Sequence, residues 1–273
     1  MRVSMRWMGV PVLAGSMFML PALAAESGYL TPPEPLLGVM RAPLNPSPAI
    51  DPTGSTALLL RQSPYPPIDR VAEPYLKLAG VRVEPRNHSR HDRSNGYGIR
   101  TCLEGFDLLD LASGRETPVQ LPEGACPGVP SWSPDGRRFA FDNTTDTGVE
   151  LWVGDAADGR VRRVEGVLLN TILGNAVQWL GDRQELLVKL VPADLGPAPQ
   201  KAAVPPGPEI KEAIEGKGES STYEARDLLT GPEDEALFDH YATAQLATVD
   251  VVSGAVRKIG APAVYASVDA APD

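Results

Sequence analysis

The chain has 273 residues, and its 25 Lys and Arg residues against 35 Asp and Glu residues give a net charge of −10 at pH 7. This balance argues against a nucleic-acid-binding surface, which requires clustered positive charge, and the length suits one large or two small domains. The 28 Pro and 26 Gly residues are typical of a chain with many turns and Pro-rich insertions.

The N-terminus has the organisation of a secretory signal peptide. Two arginines precede an apolar stretch at 7–20, and the small-x-small pattern PALA follows it at 21–24. We predict a signal peptide over residues 1–24, cleaved between Ala24 and Ala25, and a mature protein that is exported to a periplasm or secreted, away from the membrane. The alternative is an uncleaved anchor, although the apolar stretch is short for a membrane span.

Residues 25–48 form a Pro-rich lead, most of it TPPEPLLGVMRAPLNPSP. A residue that precedes a proline disfavours the helical conformation. The sequence therefore predicts an extended lead without a helix.

One strand-turn-strand pattern occurs three times, as LLDLASGRETPVQL at 108–121, WVGDAADGRVRRVE at 152–165 and ATVDVVSGAVRKIG at 247–260. Ser-Gly or Asp-Gly in a short loop between alternating strands is typical of an antiparallel hairpin. A second pattern, a turn followed by a strand, begins near Ile50, Trp132 and Trp179. Each repeat unit thus contains four strands.

Four antiparallel strands per unit are the blade of a β-propeller. We therefore predict an all-β fold, a partial β-propeller over residues 49–273 with helical and Pro-rich insertions. Three blades are expected at about 49–122, 127–166 and 174–260, with the first strand of a fourth at 262–273. Matching tryptophans in such repeats pack between neighbouring sheets, so Trp132 and Trp179 are interpreted as structural.

Two insertions interrupt the repeats. The first runs from residue 63 to about 100, within the first blade. The second, of about fifty residues, lies within the third blade, a length unusual for a plain loop. Its part at 192–208 is Pro-, Ala- and Gly-rich and is expected to be extended. Its part at 222–241 predicts two short helices, the second starting at Pro232; the alternative is a disordered acidic loop.

The chain contains two cysteines, Cys102 and Cys126. If Ser113-Gly114 is a two-residue turn, Cys102 lies opposite Ala125, one position from Cys126, close enough for a bridge. Export permits a disulfide, so the pair is a disulfide candidate. The alternative is two independent buried thiols.

The sequence contains no motif of a catalytic site. There is no Gly-x-Ser-x-Gly nucleophile elbow, no Gly-x-x-x-x-Gly-Lys phosphate loop and no His-Glu-x-x-His zinc motif, and we expect no cofactor, metal or catalytic residue. The spacing of His88 and His91 suits a metal, whereas the surrounding arginines would repel one. The third histidine, His240, lies in the second insertion.

A basic group stands out in this acidic chain. Its members are Arg82, Arg86, Arg90, Arg93 and Arg100, all in the first insertion. One interpretation is a strip that binds an acidic peptide through charge-assisted hydrogen bonds. The alternative is a solvated basic loop.

Segments outside the repeats carry a more specific resemblance. They are EPLLGVMRA at 34–42, LKLAGVRVEP at 76–85, GYGI at 96–99, LFDHYATAQL at 237–246 and IGAPAVYASVD at 259–269. This set resembles the N-terminal region of glutamyl endopeptidases of the prolyl oligopeptidase family. The resemblance implies a propeller that covers a C-terminal α/β-hydrolase domain, which carries a Ser-Asp-His triad and cleaves peptides after Glu. None of the triad motifs has a counterpart in this sequence.

Two functions follow as expectations. In the first, the chain is the propeller portion of an exported serine peptidase, truncated before the catalytic domain and inactive alone. It would gate and orient peptide substrates for the α/β-hydrolase domain that is its partner in the intact protein. In the second, the chain is a stand-alone, non-catalytic exported propeller that binds a protein or peptide.

Overall fold

The computed structural model describes residues 31–93, 98–181, 184–200 and 228–271. The predicted signal peptide and its cleavage position lie outside the described residues. The chain divides into two compact units, Met1–Ala42 and Pro43–Asp273. No helix within the described ranges is long and apolar enough to cross a bilayer.

The first unit contains one described helix, α1 (Glu34–Met40). The prediction of an extended lead without a helix is therefore wrong for these residues. Pro35 lies in the first helical turn, where a missing backbone N–H breaks no intrahelical hydrogen bond. The next proline is Pro43, so the residues between are free to form a helix.

The second unit contains fifteen described strands and two described helices. The strands are β1 (Ser47–Ile50), β2 (Thr56–Gln62), β3 (Leu76–Leu78), β4 (Val81–Glu84), β5 (Ser89–Arg90), β6 (Leu103–Asp110), β7 (Glu116–Pro118), β8 (Ser131–Trp132), β9 (Arg138–Thr144), β10 (Val149–Asp155), β11 (Val161–Leu168), β12 (Val177–Trp179), β13 (Glu185–Leu190), β14 (Thr243–Asp250) and β15 (Val256–Val264). The helices are α2 (Ile68–Ala72) and α3 (Pro232–Ala242).

Three four-stranded antiparallel sheets follow one another along the chain. Their strand orders are β1-β2-β6-β7, β8-β9-β10-β11 and β12-β13-β14-β15, and we call them the first, second and third blades. A small sheet, β3-β4-β5, lies in the first insertion. Consecutive four-stranded sheets of this kind are propeller blades, which confirms the prediction of an all-β partial propeller.

The same turn joins the last two strands of every blade. In the first blade, the backbone N–H of Gly114 donates to the carbonyl of Asp110 at 2.8 Å, and Gly114 has a φ of 71°. The carboxylate of Asp110 accepts the backbone N–H of Ser113 at 2.8 Å, and this hydrogen bond lowers the pKa of Asp110. The other two turns have Asp155 with Gly159 and Asp250 with Gly254 in the same positions.

The expectation of a two-residue turn at Ser113-Gly114 is wrong. Leu109 pairs with Glu116, and Asp110 bonds to Arg115, so the loop contains residues 111–114. The loop is longer because the aspartate side chain accepts backbone N–H groups within it and glycine supplies the left-handed residue. A shift of two residues leaves every side chain on its predicted face of the sheet.

Apolar clusters hold the blades together. Between the first and second blades, Phe106 makes edge-to-face contacts with Phe139 and Phe141, with ring centroids 6.4 and 5.3 Å apart. Between the second and third blades the cluster is mainly aliphatic, including Val149, Leu151, Val153, Leu186, Val188 and Val249. The second blade is thus covered on both faces, which makes it the centre of the unit.

The two matching tryptophans link neighbouring inner strands. The indole Nε1 of Trp132 in β8 donates to the carbonyl of Ala49 in β1 at 2.8 Å. The indole Nε1 of Trp179 in β12 donates to the carbonyl of Ser131 in β8 at 3.1 Å. The second and third blades are therefore each attached to the preceding blade by the same kind of hydrogen bond, consistent with a structural role.

The two insertions pack against each other. The first contains α2 and the small sheet, and the second ends in α3, which begins at Pro232 as predicted. The predicted helix N-terminal to it lies outside the described residues, except for Leu228 and Leu229, which are not helical. Side chains of the small sheet, including Leu78 and Val83, form one buried cluster with residues of α3.

The C-terminal residues follow the third blade closely. Strand β15 extends to Val264, and the described residues 265–271 form no strand. The backbone N–H of Ala270 donates to Oε1 of Gln178 at 3.3 Å. This segment therefore lies beside β12, the inner strand of the third blade.

Candidate functional site

The five arginines of the predicted strip lie in different environments. Cζ of Arg82 lies over the ring of Tyr75, 5.3 Å from the centroid. Arg86 donates from Nη1 to Asp146 at 2.7 Å and from Nη2 to Glu73 at 2.6 Å. Neither Arg82 nor Arg86 lines the cavity that the other three share, although Arg86 lines a smaller cavity together with Arg90 and Arg100.

The structure brings the remaining three arginines, Arg90, Arg93 and Arg100, to one cavity of about 630 Å³. It lies between the end of the first insertion and the segments that lead into β8 and β12. Other side chains that line it include Gln62, Asp92, Asp142, Thr171 and Asn175. We call this cavity the arginine cleft.

Two of the three guanidinium groups in the arginine cleft are paired with carboxylates. Arg90 donates from Nε and Nη2 to Asp92 at 2.9 and 3.1 Å, a bidentate pair. Arg100 is paired with Asp142. Arg93 is exposed and adds a third positive charge. Three guanidinium groups against two carboxylates leave the cleft with an excess of positive charge in an acidic protein.

A glycine makes room for the pair of Arg100 and Asp142. A β-carbon on Gly128 would overlap Oδ1 of Asp142 and would lie 2.8 Å from Nη2 of Arg100. The backbone N–H of Gly128 also donates to the carbonyl of Asp142 at 2.8 Å. Sequence reasoning missed Gly128 and Asp142. The available signal was the charge of Asp142 within β9, directly after the apolar run Phe139-Ala140-Phe141.

A largely buried ionic cluster lies within the first insertion. Ligand atoms of Glu73, Glu84 and His91 lie within 4.8 Å of one another. Arg70 is paired with both carboxylates, and Nδ1 of His91 lies 3.0 Å from Oε1 of Glu84. The guanidinium of Arg70 therefore supplies the positive charge that a metal ion would bring, and it would repel a second cation.

The structure does not bring the histidines of the His88-Ser-Arg-His91 motif to a shared site. His91 is fully buried in the ionic cluster, and its ring stacks on Tyr75 with centroids 4.5 Å apart. Nε2 of His88 lies 2.8 Å from the carbonyl of Tyr241, next to His240 in α3. Burial lowers the pKa of His88 to about 4, so this imidazole is neutral near pH 7.

The two cysteines form a disulfide that borders a second cavity. Cys102 and Cys126 are bonded, with Cα atoms 4.7 Å apart, and both line a cavity of about 350 Å³. The backbone N–H of Leu103 donates to the carbonyl of Pro127 at 2.9 Å. The bridge thus ties the segment after Arg100 to the segment before Gly128, which form one wall of the arginine cleft.

Similarity to known proteins covers nearly the whole chain. It is 35% identical over 263 residues to a probable chloroplastic glutamyl endopeptidase of Oryza sativa subsp. japonica, covering 92% of this chain and 27% of that protein. It is 32% identical over 261 residues to the protein of the same description from Arabidopsis thaliana, covering 92% of this chain and 26% of that protein. These similarities confirm the resemblance, and the chain spans about a quarter of the length of these relatives. No protein-family model matches the chain.

Solved structures are similar at a lower level. The acylaminoacyl peptidase of Pyrococcus horikoshii is 12% identical with a TM-score of 0.35, covering 80% of this chain and 25% of that chain. TolB from Acinetobacter baumannii is 13% identical with a TM-score of 0.34, covering 78% of this chain and 32% of that chain.

Proposed function

We propose that this chain, a homologue of glutamyl endopeptidases over a quarter of their length, is the peptide-handling propeller portion of an exported serine peptidase. Its role is to gate and orient peptide substrates for an α/β-hydrolase domain. The observation that carries the proposal is the arginine cleft, a cavity of about 630 Å³ with three arginines in a chain of net charge −10.

The chemistry of the arginine cleft favours an acidic peptide segment. Arg93 is exposed, and Arg90 uses two of its five N–H donors on Asp92. A guanidinium held by one carboxylate still presents donors to a second carboxylate, and its orientation is already set. Held arginines lose less side-chain entropy on binding than free ones, which favours affinity.

Two features support export. The sequence at residues 1–24 has the pattern of a signal peptide. The pairing of Cys102 with Cys126 is of the kind that persists in oxidising compartments. Both features agree with a periplasmic or secreted protein.

The proposal is tested by peptide binding to the purified chain. A fluorescein-labelled acidic peptide is compared with a peptide in which Gln replaces each Glu, using fluorescence anisotropy. Arg93→Gln is expected to weaken binding of the acidic peptide about tenfold, about 1.4 kcal/mol, while leaving the neutral peptide unchanged. Arg93 is chosen because Arg90→Gln would leave the buried Asp92, 2% exposed, without its partner.

A matched control is Arg137→Gln, since the side chain of Arg137 is 83% exposed on a turn of the second blade. It is expected to bind both peptides as the unmodified chain does. Equal affinity for the acidic and neutral peptides, or equal losses in the Arg93 and Arg137 variants, would refute the proposal. The chain alone is expected to release no product from a Glu-containing chromogenic peptide.

The second candidate function is a stand-alone, non-catalytic exported propeller that binds a protein or peptide. The observation in its favour is the excess of positive charge in the arginine cleft, which would suit an acidic ligand without a catalytic domain. Sequencing of the gene beyond the codon for Asp273 distinguishes the two. An in-frame Gly-x-Ser-x-Gly elbow supports the peptidase, and a stop codon without a nearby hydrolase supports the binding module.

A further inference from the structure

The disulfide joins two segments that belong to different blades. Cys102 directly precedes β6 of the first blade, and Cys126 lies in the segment that leads into β8 of the second blade. We call these two segments, 100–103 and 126–128, the blade junction. The backbone N–H of Leu103 donates to the carbonyl of Pro127 across the junction at 2.9 Å. The disulfide therefore adds a covalent bond at the point where the two segments meet.

Further backbone hydrogen bonds hold each side of the blade junction separately. On the second-blade side, the N–H of Gly128 donates to the carbonyl of Asp142 at 2.8 Å, and the N–H of Thr144 donates to the carbonyl of Cys126 at 3.0 Å. On the other side, the N–H of Arg100 donates to a carbonyl of the first insertion at 2.8 Å. These three bonds fix each side to its own surroundings, and none of them crosses the junction.

The blade junction also carries one ion pair of the arginine cleft. Arg100 lies on the first side, and its partner Asp142 is bonded to Gly128 on the other side. All three residues line the cleft. The position of the Arg100 guanidinium in the cleft therefore depends on how closely the two sides are held together. Deeper in the unit, the apolar cluster between the first and second blades holds the blades themselves.

The surroundings of the sulfur atoms favour attack by a thiol. Cys102 and Cys126 are half-buried and line the cavity of about 350 Å³, whose lining also includes the exposed residues Gly124 and Asp146. An excess of positive charge stabilises the attacking and the leaving thiolate, which favours cleavage of a disulfide. The charged residues that line this cavity are Arg70, Arg86, Arg90 and Arg100 against Glu73, Glu84 and Asp146.

We propose that the disulfide between Cys102 and Cys126 is a redox-sensitive tie that holds the arginine cleft in its binding form. The reductant is a dithiol. One of its thiolates attacks a sulfur of the disulfide, the S–S bond breaks, and the other cysteine leaves as a thiolate. The second thiol of the reductant then attacks the mixed disulfide. The chain gains two electrons and two protons as two cysteine thiols, and the dithiol becomes a disulfide.

The consequence for peptide binding rests on the proposed function. With the tie open, the two sides of the blade junction separate, and the guanidinium of Arg100 loses its fixed position. Immobilising one long side chain on binding weakens affinity about two- to tenfold, and reduction is expected to weaken binding of an acidic peptide by this factor. Disulfides persist in oxidising compartments, so the tie would be closed in an exported protein.

The first experiment compares hydrogen exchange in the full chain, oxidised and reduced with dithiothreitol, without denaturant. Reduction is expected to abolish the protection of the Leu103 N–H, which is bonded across the blade junction. The matched control is the N–H of Gly128, bonded within the second blade, which is expected to stay protected together with β6 and β9. Unchanged protection of Leu103 would overturn the proposal. So would a loss of protection throughout β6 and β9, because the disulfide would then hold the whole fold and not the cleft.

The second experiment compares the rates at which an anionic thiol, mercaptoethanesulfonate, and a cationic thiol, cysteamine, reduce the oxidised chain, each relative to its rate with a cystine peptide. The net charge of −10 favours the cationic thiol, whereas the arginines of the cavity favour the anionic one. We expect the anionic thiol to be preferred. Arg86→Gln should lower this preference about threefold, and the control Arg137→Gln should leave it unchanged. A preference for the cationic thiol would overturn the proposal.

The third experiment measures binding of the acidic peptide and of its Gln counterpart to the oxidised and reduced chains by fluorescence anisotropy. Reduction is expected to weaken binding of the acidic peptide about two- to tenfold and to leave the neutral peptide unchanged. The Cys102→Ser, Cys126→Ser double variant should behave as the reduced chain does; if it fails to fold, the reduced chain carries the test. Equal affinity of the oxidised and reduced chains for the acidic peptide would refute the tie. If no acidic peptide binds even to the oxidised chain, the proposed function fails, and exchange at Leu103 decides the tie by itself.

Discussion

Gly154 in β10 is expected to be intolerant of a single methyl group. It pairs directly with Phe139 in β9, and the ring of Phe139 covers it: a β-carbon at Gly154 would overlap Cζ and Cε2 of the ring and would lie 2.7 Å from Cε1. Phe139 is fully buried, with ring centroids 6.4 Å from Phe106, 5.7 Å from Trp132 and 6.3 Å from Phe141. The ring therefore has no free space into which it could move.

Overpacking of a filled core costs about 1–3 kcal/mol, and the rigid surroundings favour the upper part of this range. For Gly154→Ala we expect a loss of about 2–3 kcal/mol in the free energy of unfolding, measured by urea denaturation. The corresponding fall in Tm is roughly 4–12 °C for a chain of this size. The control is Gly231→Ala, since no atom lies within 4 Å of its β-carbon position and its φ of 177° is ordinary extended backbone.

A double-mutant cycle tests the cause. Phe139→Leu alone leaves a cavity and destabilises, but it also removes the atoms that the new methyl group would overlap. The Gly154→Ala, Phe139→Leu double variant is therefore expected to lose less than the sum of the two single losses, by about 0.5–3 kcal/mol. A Gly154→Ala variant within about 0.5 kcal/mol of the unmodified chain, or strictly additive losses, would refute the reasoning.

Three further predictions concern stability. Denatured, oxidised protein is expected to show no titratable thiol. Replacing Cys102 and Cys126, which are 24 residues apart, by serine should lower the free energy of unfolding by about 3 kcal/mol. Burial lowers the pKa of Lys189 to about 8 from 10.5, so stability should rise from pH 8 to 10.5, and Lys189→Met should abolish this rise and stabilise the chain at pH 7 by about 1–3 kcal/mol. Trp132→Phe removes the donor to Ala49 and should cost about 1 kcal/mol in urea denaturation; no measurable loss would contradict its linking role.

The repeats could be predicted because their signal is local. An aspartate at the end of a strand and a glycine four residues later specify the same turn in all three blades, through hydrogen bonds within a few residues. The length of the turn could not be predicted from the Ser-Gly dipeptide. It depends on where the Asp110 carboxylate finds backbone N–H groups, and this adds two residues to the loop.

The arginine strip shows the opposite case. Five arginines close together in sequence suggested one positive surface, but the partners of Arg86 and Arg100 are Asp146 and Asp142 in the second blade. These carboxylates are more than forty residues away in the chain. Which arginines remain available to a ligand is therefore decided by long-range contacts that periodicity and spacing do not report.

The amino-acid sequence by itself determined the blades of this protein. Strand alternation and turn residues are read within one repeat, and the matching tryptophans are found by comparing one repeat with the next. The tertiary structure alone decided where the insertions meet, that His88 and His91 have different partners, and that three arginines share one cavity with two aspartates. The physical reason is that strands and turns depend on nearest neighbours along the chain, whereas burial and charge pairing depend on neighbours in space.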